Sequence, residues 1–111
     1  MLLAKNQLVE DFIEEFKKND KEVLINLFNN RLSYYFVMIL YERFNKLGSI
    51  SYMPKYKHFC YTIFDENYDI NGKIIDPDML SDIVSWNTYK QKDEVDTYNI
   101  IKEFITFDVE N

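Results

Sequence analysis

One stretch of the chain, residues 34–41, is apolar or aromatic at every position and directly follows Ser33. In a helix such a run leaves no polar face, so the rest of the protein has to cover its whole circumference. Ser33 is a residue type that caps helix N-termini, and Gly48 suits a left-handed C-terminal cap. The pattern predicts a central, buried helix that begins at Ser33.

Amphipathic spacing on both sides of this run predicts further helices. Apolar residues recur at helical intervals between positions 3 and 18, and a second short stripe lies between 23 and 28. Asp76-Pro77 is typical of a helix start with Asp76 as the cap, and we expect about two turns, through residue 84. A last helix is predicted to begin at Asp93.

The middle of the chain is rich in β-branched and aromatic residues. Residues 50–53 and 58–64 predict two strands, and residues 68–70 and 73–75 predict two more around Asn71-Gly72, a typical hairpin turn. We therefore expect an α+β domain with N-terminal helices, one of them central and buried, a small antiparallel sheet of about three or four strands, and C-terminal helices.

Length and charge limit the functions to consider. The 111 residues suit a single domain, and 13 basic against 19 acidic residues give a net charge of -6, which disfavours direct binding of nucleic acid. The single cysteine, Cys60, excludes an internal disulfide and a thiolate zinc cage, and no stretch approaches the ~20 apolar residues of a membrane span. We expect a cytoplasmic protein without cofactor, metal or membrane contact, and its oligomeric state stays open.

Three short strings and two aromatic residues follow one another between about residues 30 and 95: Ser33-Tyr34-Tyr35-Phe36-Val37, His58-Phe59-Cys60, Tyr68-Asp69-Ile70-Asn71-Gly72, Trp86 and Tyr89. In this order and spacing they resemble a family of small papain-like, transglutaminase-like proteins that is common in phages and Gram-positive bacteria. In such enzymes the nucleophile begins a buried helix, and the histidine and a carboxylate or amide come from adjacent strands. The resemblance implies a degenerate papain-like fold in which Ser33, His58 and Asp69 converge at one end of the sheet.

The chain departs from this family at two positions. Ser33 stands where the family has cysteine, and a hydroxyl is a far weaker nucleophile than a thiolate. Lys57 stands where a glycine precedes the histidine, which would place a long cation beside the predicted site. We therefore expect a non-catalytic domain, and the alternative is a hydrolase or acyltransferase in which His58, oriented by Asp69, activates Ser33 or Cys60.

Each candidate catalytic residue also has a structural interpretation. Ser33 would serve as a helix cap, Asp69 would stabilise the hairpin turn, and His58 would be a hydrogen-bonded strand residue. Cys60 between two aromatic residues is typical of a small buried hydrophobic side chain.

Aromatic residues supply a candidate binding surface. Tyr34, Tyr35, Trp86 and Tyr89 are core residues if buried, and anchors for a protein partner if exposed. With the negative charge, this predicts a protein-binding or inhibitor domain whose partner is basic, for example a nucleic-acid-binding host protein. Phage-encoded inhibitors of host defence, including anti-CRISPR proteins, have this size and charge, which is an analogy of class.

Residues 67–78 form a third candidate, a single calcium-binding loop. Asn and Asp side chains and Gly72 match several positions of such a loop. Against this, the preceding segment is predicted as a strand, Pro77 stands where the exiting helix should continue, and Asp78 is shorter than the usual bidentate Glu. Calcium binding stays the second alternative.

Overall fold

The apolar run at residues 34–41 forms most of the central helix α3 (Ser33–Arg43). The structure is a computed structural model that describes residues 2–19, 22–29 and 32–105. α3 packs against a neighbouring helix and three strands, and Val37 and Leu40 have no exposed surface. The predicted buried central helix is confirmed.

Helices precede and follow the sheet. They are α1 (Leu2–Asn19), α2 (Glu22–Phe28), α3, α4 (Pro77–Leu80), α5 (Trp86–Lys92) and α6 (Glu94–Ile100), with a π-helical turn (Ile101–Ile105) after α6. The predicted starts at Asp76 and Asp93 are confirmed, because each side chain accepts a backbone N–H of its helix. Within the described ranges no helix alone has the length and apolarity to cross a bilayer, although α2 and α3, 94° apart in direction, pass that test as a pair.

The end of α3 differs from the sequence prediction. The helix stops at Arg43, and Asn45 and Lys46 follow with φ angles of 61° and 63° before Gly48. Gly48 is left-handed as expected, with φ 79°, but a Cβ there would also lie 2.5 Å from the Thr62 carbonyl oxygen. The glycine therefore serves the close approach of the turn to a strand as well as the backbone conformation.

Five antiparallel strands form one sheet in the order β4-β3-β2-β1-β5, so the α+β class is confirmed. They are β1 (Ser49–Met53), β2 (His58–Ile63), β3 (Glu66–Asp69), β4 (Gly72–Lys73) and β5 (Val84–Ser85). β5 was not predicted, and the helix expected through residue 84 ends at Leu80 instead. Asp82 accepts the backbone N–H of Lys55 at 3.0 Å and so holds the chain beside β1.

The hairpin between β3 and β4 turns one residue earlier than predicted. Asp69 pairs with Gly72, so Ile70 and Asn71 are the loop residues. Asp69 Oδ1 accepts the N–H of Asn71 at 2.8 Å, which closes an Asx turn and sets this register.

The two faces of the sheet are covered unequally. One face, with Phe59 and Tyr61, belongs to the main core, which includes residues of α1, α2, α3, α5 and α6. The other face carries a small cluster of three buried residues, Met53, Cys60 and Ile74. α4 and the residues after it cover this small cluster. Side chains on that face therefore lie close to the surface.

Candidate functional site

Ser33 is the first residue of α3 and is 3% exposed. Its Oγ accepts a hydrogen bond from the Phe59 N–H at 3.1 Å. The N-cap position is held by Leu32, which makes no side-chain capping bond, so the prediction that Ser33 caps the helix is wrong. The hydroxyl instead joins the start of α3 to β2.

The strand pairing explains why β2 offers this amide to Ser33. β3 pairs with β2 from Ile63 to Tyr61, and the chain turns away after Asp69. Beyond Tyr61 the side of β2 that faces away from β1 has no further strand partner in that ladder. The Ser33 hydroxyl supplies the acceptor that the buried Phe59 N–H requires.

His58 and Asp69 form a buried, hydrogen-bonded pair. His58 Nε2 lies 3.0 Å from Asp69 Oδ2, and the residues are 7% and 5% exposed. Tyr68 pairs with Tyr61, which places Asp69 beside Cys60 and diagonally across from His58 on one face of the sheet. Because a carboxylate accepts, Nε2 donates and Nδ1 remains for another contact. Asp69 uses both oxygens, since Oδ1 accepts from Asn71.

The predicted trio is thus brought together in part. His58 contacts Asp69 directly, and Ser33 contacts the backbone of the residue after His58. Among the hydrogen bonds between described residues, none joins Ser33 to His58. The side chains therefore lie around one end of β2 without forming a continuous chain of hydrogen bonds.

A cleft of about 370 Å³ opens beside the His58–Asp69 pair. Besides that pair, its lining residues are Asn29, Tyr56, Asn71, Lys73, Ile74, Ile75, Asp76 and Met79. Asn71 Nδ2 donates to Asn29 Oδ1 at 2.8 Å, which joins the hairpin turn to the end of α2. Tyr56 and Ile75 are exposed apolar side chains, with Ile75 at 77%. The buried lining thus combines the polar pair with Ile74, and the exposed lining mixes polar and charged side chains with Tyr56 and Ile75.

Neither candidate nucleophile lines this cleft. Ser33 faces Phe59, and Cys60 is fully buried in the small cluster. Burial, followed by the charge of Asp69, raises the pKa of the Cys60 thiol to about 12, although a hydrogen bond with Thr62 acts in the opposite direction. A thiol with this pKa is protonated at neutral pH and is a poor nucleophile.

Lys57 does not line the cleft, although a cation beside the histidine was expected there. Its side chain is exposed, and its backbone is left-handed with φ 48°. Glycine adopts this conformation without strain. Lys57 therefore occupies a backbone conformation that favours glycine.

The four aromatic candidates pack largely against the protein itself. Trp86 is 5% exposed and stacks on Tyr89 at 6.1 Å, while the Tyr89 hydroxyl donates to Asp96. Tyr34 and Tyr35 are half-buried and meet edge to face at 5.9 Å. Burial of Trp86 argues for a core role, and Tyr34, Tyr35 and Tyr89 keep only part of their surface for contacts.

The segment 67–78 does not close around one point. Asn67 accepts from Thr62, Asp69 accepts from His58, and Asp76 caps α4. Within the described ranges no group of three His, Cys, Asp or Glu side chains is placed to hold a metal ion. The hairpin thus directs these oxygens to different sites, which argues against a calcium loop.

Sequence reasoning missed most of the cleft lining. Asn29 and Tyr56 carry no motif, and Asn29 meets Asn71 only because α2 ends beside the hairpin. The one signal was the Asn71-Gly72 turn next to Asp69, which placed Asn71 near the pair. Comparisons with protein-family models, curated proteins and solved structures found no match to this chain.

Proposed function

We propose that this chain is a non-catalytic protein-binding domain on a degenerate papain-like scaffold, and that its cleft receives a segment of the partner. The main support for a non-catalytic role is that His58 and Asp69 line the cleft, whereas the Ser33 hydroxyl does not. Acyl transfer requires contact between nucleophile and substrate. A cleft that places a few polar groups among apolar side chains suits binding without that contact.

Two features support the papain-like scaffold. The start of the buried helix, the histidine and the carboxylate meet at one end of β2, as the resemblance implies. Lys57 occupies a left-handed position where the family has glycine. Both features belong to the backbone and side-chain arrangement of the fold, which a protein could keep after it lost its catalytic activity.

The cleft offers groups that match a peptide. The Asn71–Asn29 bond leaves the amide NH₂ of Asn29 and the side-chain oxygen of Asn71 free to pair with a peptide group. Tyr56 and Ile75 provide apolar contact at the rim. Asp76 and Lys73 both line the cleft, so the preference for a basic partner, such as a nucleic-acid-binding host protein, comes from the net charge of -6. A buried free thiol at Cys60 suits a cytoplasmic site of action.

The rim of the cleft provides a direct test. Ile75→Ser removes apolar contact at the rim without a change of charge, and Val95→Ser is the matched control because Val95 is equally exposed, at 77%, and does not line the cleft. Partners are captured from the source organism with wild type and both variants, and binding of the purified partner is then measured by calorimetry. We expect Ile75→Ser to weaken binding at least tenfold, while Val95→Ser binds as wild type does. Equal effects of the two changes would argue against the cleft.

A serine hydrolase is the second candidate function. The buried His58–Asp69 pair favours it, since a carboxylate that orients a histidine is what a general base requires. For catalysis the Ser33 hydroxyl would have to leave the Phe59 amide and turn toward His58 Nδ1. This rearrangement would also have to open a path from the cleft to Ser33.

A fluorophosphonate probe distinguishes the two functions. Under the binding proposal the native protein is not labelled at Ser33, because the hydroxyl is buried and accepts from Phe59. Ser51→Ala is a matched control for Ser33→Ala, since Ser51 is also buried, at 5% exposed, and lies outside the cleft. Labelling that is lost in Ser33→Ala and in His58→Ala but kept in Ser51→Ala would establish the hydrolase instead.

A further inference from the structure

The outer edge of β1 is only partly paired. β2 pairs with all five residues of β1, whereas β5 pairs only with Ser51 and Tyr52 before the chain leaves into α5. Residues of an antiparallel strand direct their N–H and C=O alternately to the two sides. One of Ser49 and Ile50 therefore directs its backbone groups away from β2, to the place where a longer β5 would lie.

A groove of about 280 Å³ lies at this open edge. Its walls are the edge residues Gly48, Ser49 and Ile50 together with Ser85, Trp86, Asn87 and Lys90, and its floor is formed by Tyr34, Met38 and Tyr41 of α3. The floor residues are spaced by four and three positions, so they form one stripe on the helix. They are half-buried, and each keeps part of its surface for a ligand.

The charge and the side-chain types of the groove restrict the class of ligand that it can bind. Lys90 is the one charged residue among those that line the groove, and its Nζ lies 5.9 Å from the centre of the Trp86 ring. Tyr and Met side chains adapt to apolar ligand groups, and Tyr is enriched in binding hot spots. The groove thus offers backbone hydrogen bonds, an apolar floor and one cation within a chain of net negative charge.

We propose that this groove binds an extended peptide segment of a protein partner, which adds to β1 in the direction of β5. The peptide main chain pairs with the Ser49–Ile50 edge, an apolar side chain rests on the α3 stripe, and an acidic side chain meets Lys90. Strand addition obtains its affinity from main-chain hydrogen bonds and its specificity from pockets for alternate side chains. The groove shares no lining residue with the His58–Asp69 cleft, so this inference stands apart from the proposed function.

The test uses a displayed library of random heptapeptides that is panned against the full chain. We expect enriched sequences with an apolar residue near Asp or Glu, and calorimetry with the synthetic peptides measures their affinity. Lys90→Glu should weaken binding at least tenfold. Lys92→Glu, an exposed position of the same helix outside the groove, should leave it within about twofold. Ile75→Glu, on the rim of the other cleft, should have no effect.

The strand geometry has its own signature. N-methylation at successive peptide positions should abolish binding at one position and be tolerated at its two neighbours, because only one of Ser49 and Ile50 offers its carbonyl oxygen to the peptide. Bound peptide should also slow amide hydrogen exchange at Ser49 or Ile50 at least tenfold. Failure to enrich any peptide, equal effects of Lys90→Glu and Lys92→Glu, or equal effects of N-methylation at every peptide position would each overturn the proposal. A concentration-dependent dimer that protects this edge without peptide would overturn it in favour of a second copy.

Discussion

The two faces of β2 differ in what they contact. Phe59 lies in the main core among aromatic rings, while on the other face Cys60 lies in the small cluster covered by α4 and His58 lines the cleft. The Phe59 face is apolar, and the His58 face carries hydrogen-bonded polar groups next to a cleft. Stability and the candidate site therefore depend on different sides of one strand. Mutations can test the site without removing the core.

The largest effect on stability is expected for Phe59→Ala, on the apolar face of β2. The Phe59 ring lies 4.7 Å from Tyr52, 4.9 Å from Trp86 and 5.1 Å from Tyr34, measured between ring centres. Its removal should lower the free energy of unfolding by about 3–5 kcal/mol, because it leaves a cavity in close-packed surroundings. Urea denaturation followed by Trp86 fluorescence measures this.

Cys60→Ala is the control for that change, since Cys60 is the next residue and is equally buried on the other face. Deletion of one small buried group should cost about 1 kcal/mol. A loss as large as that of Phe59→Ala would show that the small cluster contributes as much to stability as the main core does. The proposed difference between the two faces would then be wrong.

Asp69→Ala should have the next largest effect and should act through the polar face. It leaves His58 Nε2 and the Asn71 N–H without their acceptors, and we expect a loss of about 2–3 kcal/mol in the free energy of unfolding. In a double mutant with His58→Ala the losses should not add, with a coupling of about 1 kcal/mol.

Exposed Asp78 provides the control for loss of an acidic side chain, and Asp78→Ala should stay within about 0.5 kcal/mol of wild type. Additive losses at positions 58 and 69 would contradict the direct pairing. Urea denaturation of wild type, the two single variants, the double variant and Asp78→Ala measures these free energies of unfolding.

The sequence predicted features that depend on local patterns, and it missed contacts between residues far apart in the chain. The run after Ser33 predicts a buried helix because no polar face exists, and the alternation from His58 to Phe64 predicts which side chains share a face. The contact between Asn71 and Asn29 spans 42 positions and has no local signal. The Ser33 bond likewise depends on where β3 leaves the sheet, which the Asx turn at Asp69 sets. Local patterns thus predicted the longer elements but missed β5 and α5, and the geometry of the site depends on where the elements end.

The smallest predicted effect concerns the Cys60 thiol and the pH dependence of stability. Its ordinary pKa is 9.0, and burial, followed by the charge of Asp69, raises the pKa to about 12 in the folded protein. In the unfolded chain the thiol loses its proton near pH 9, so this group stabilises the fold fully below that pH. The contribution declines as the pH rises from about 9 toward 12.

Buried tyrosines contribute to the same decline at higher pH. Burial raises the pKa values of Tyr52, Tyr61 and Tyr68 from 10.0 to about 12, so their contributions begin to fall near pH 10. Cys60→Ala should therefore delay the onset of alkaline destabilisation from about pH 9 to about pH 10. Urea denaturation at half-unit steps from pH 8 to about pH 11 measures the onset for both proteins. Coincident curves, after correction for their difference at pH 8, would mean that the thiol ionises as readily in the folded protein as in the unfolded chain. The cover of the polar face by α4 would then be too loose to exclude water.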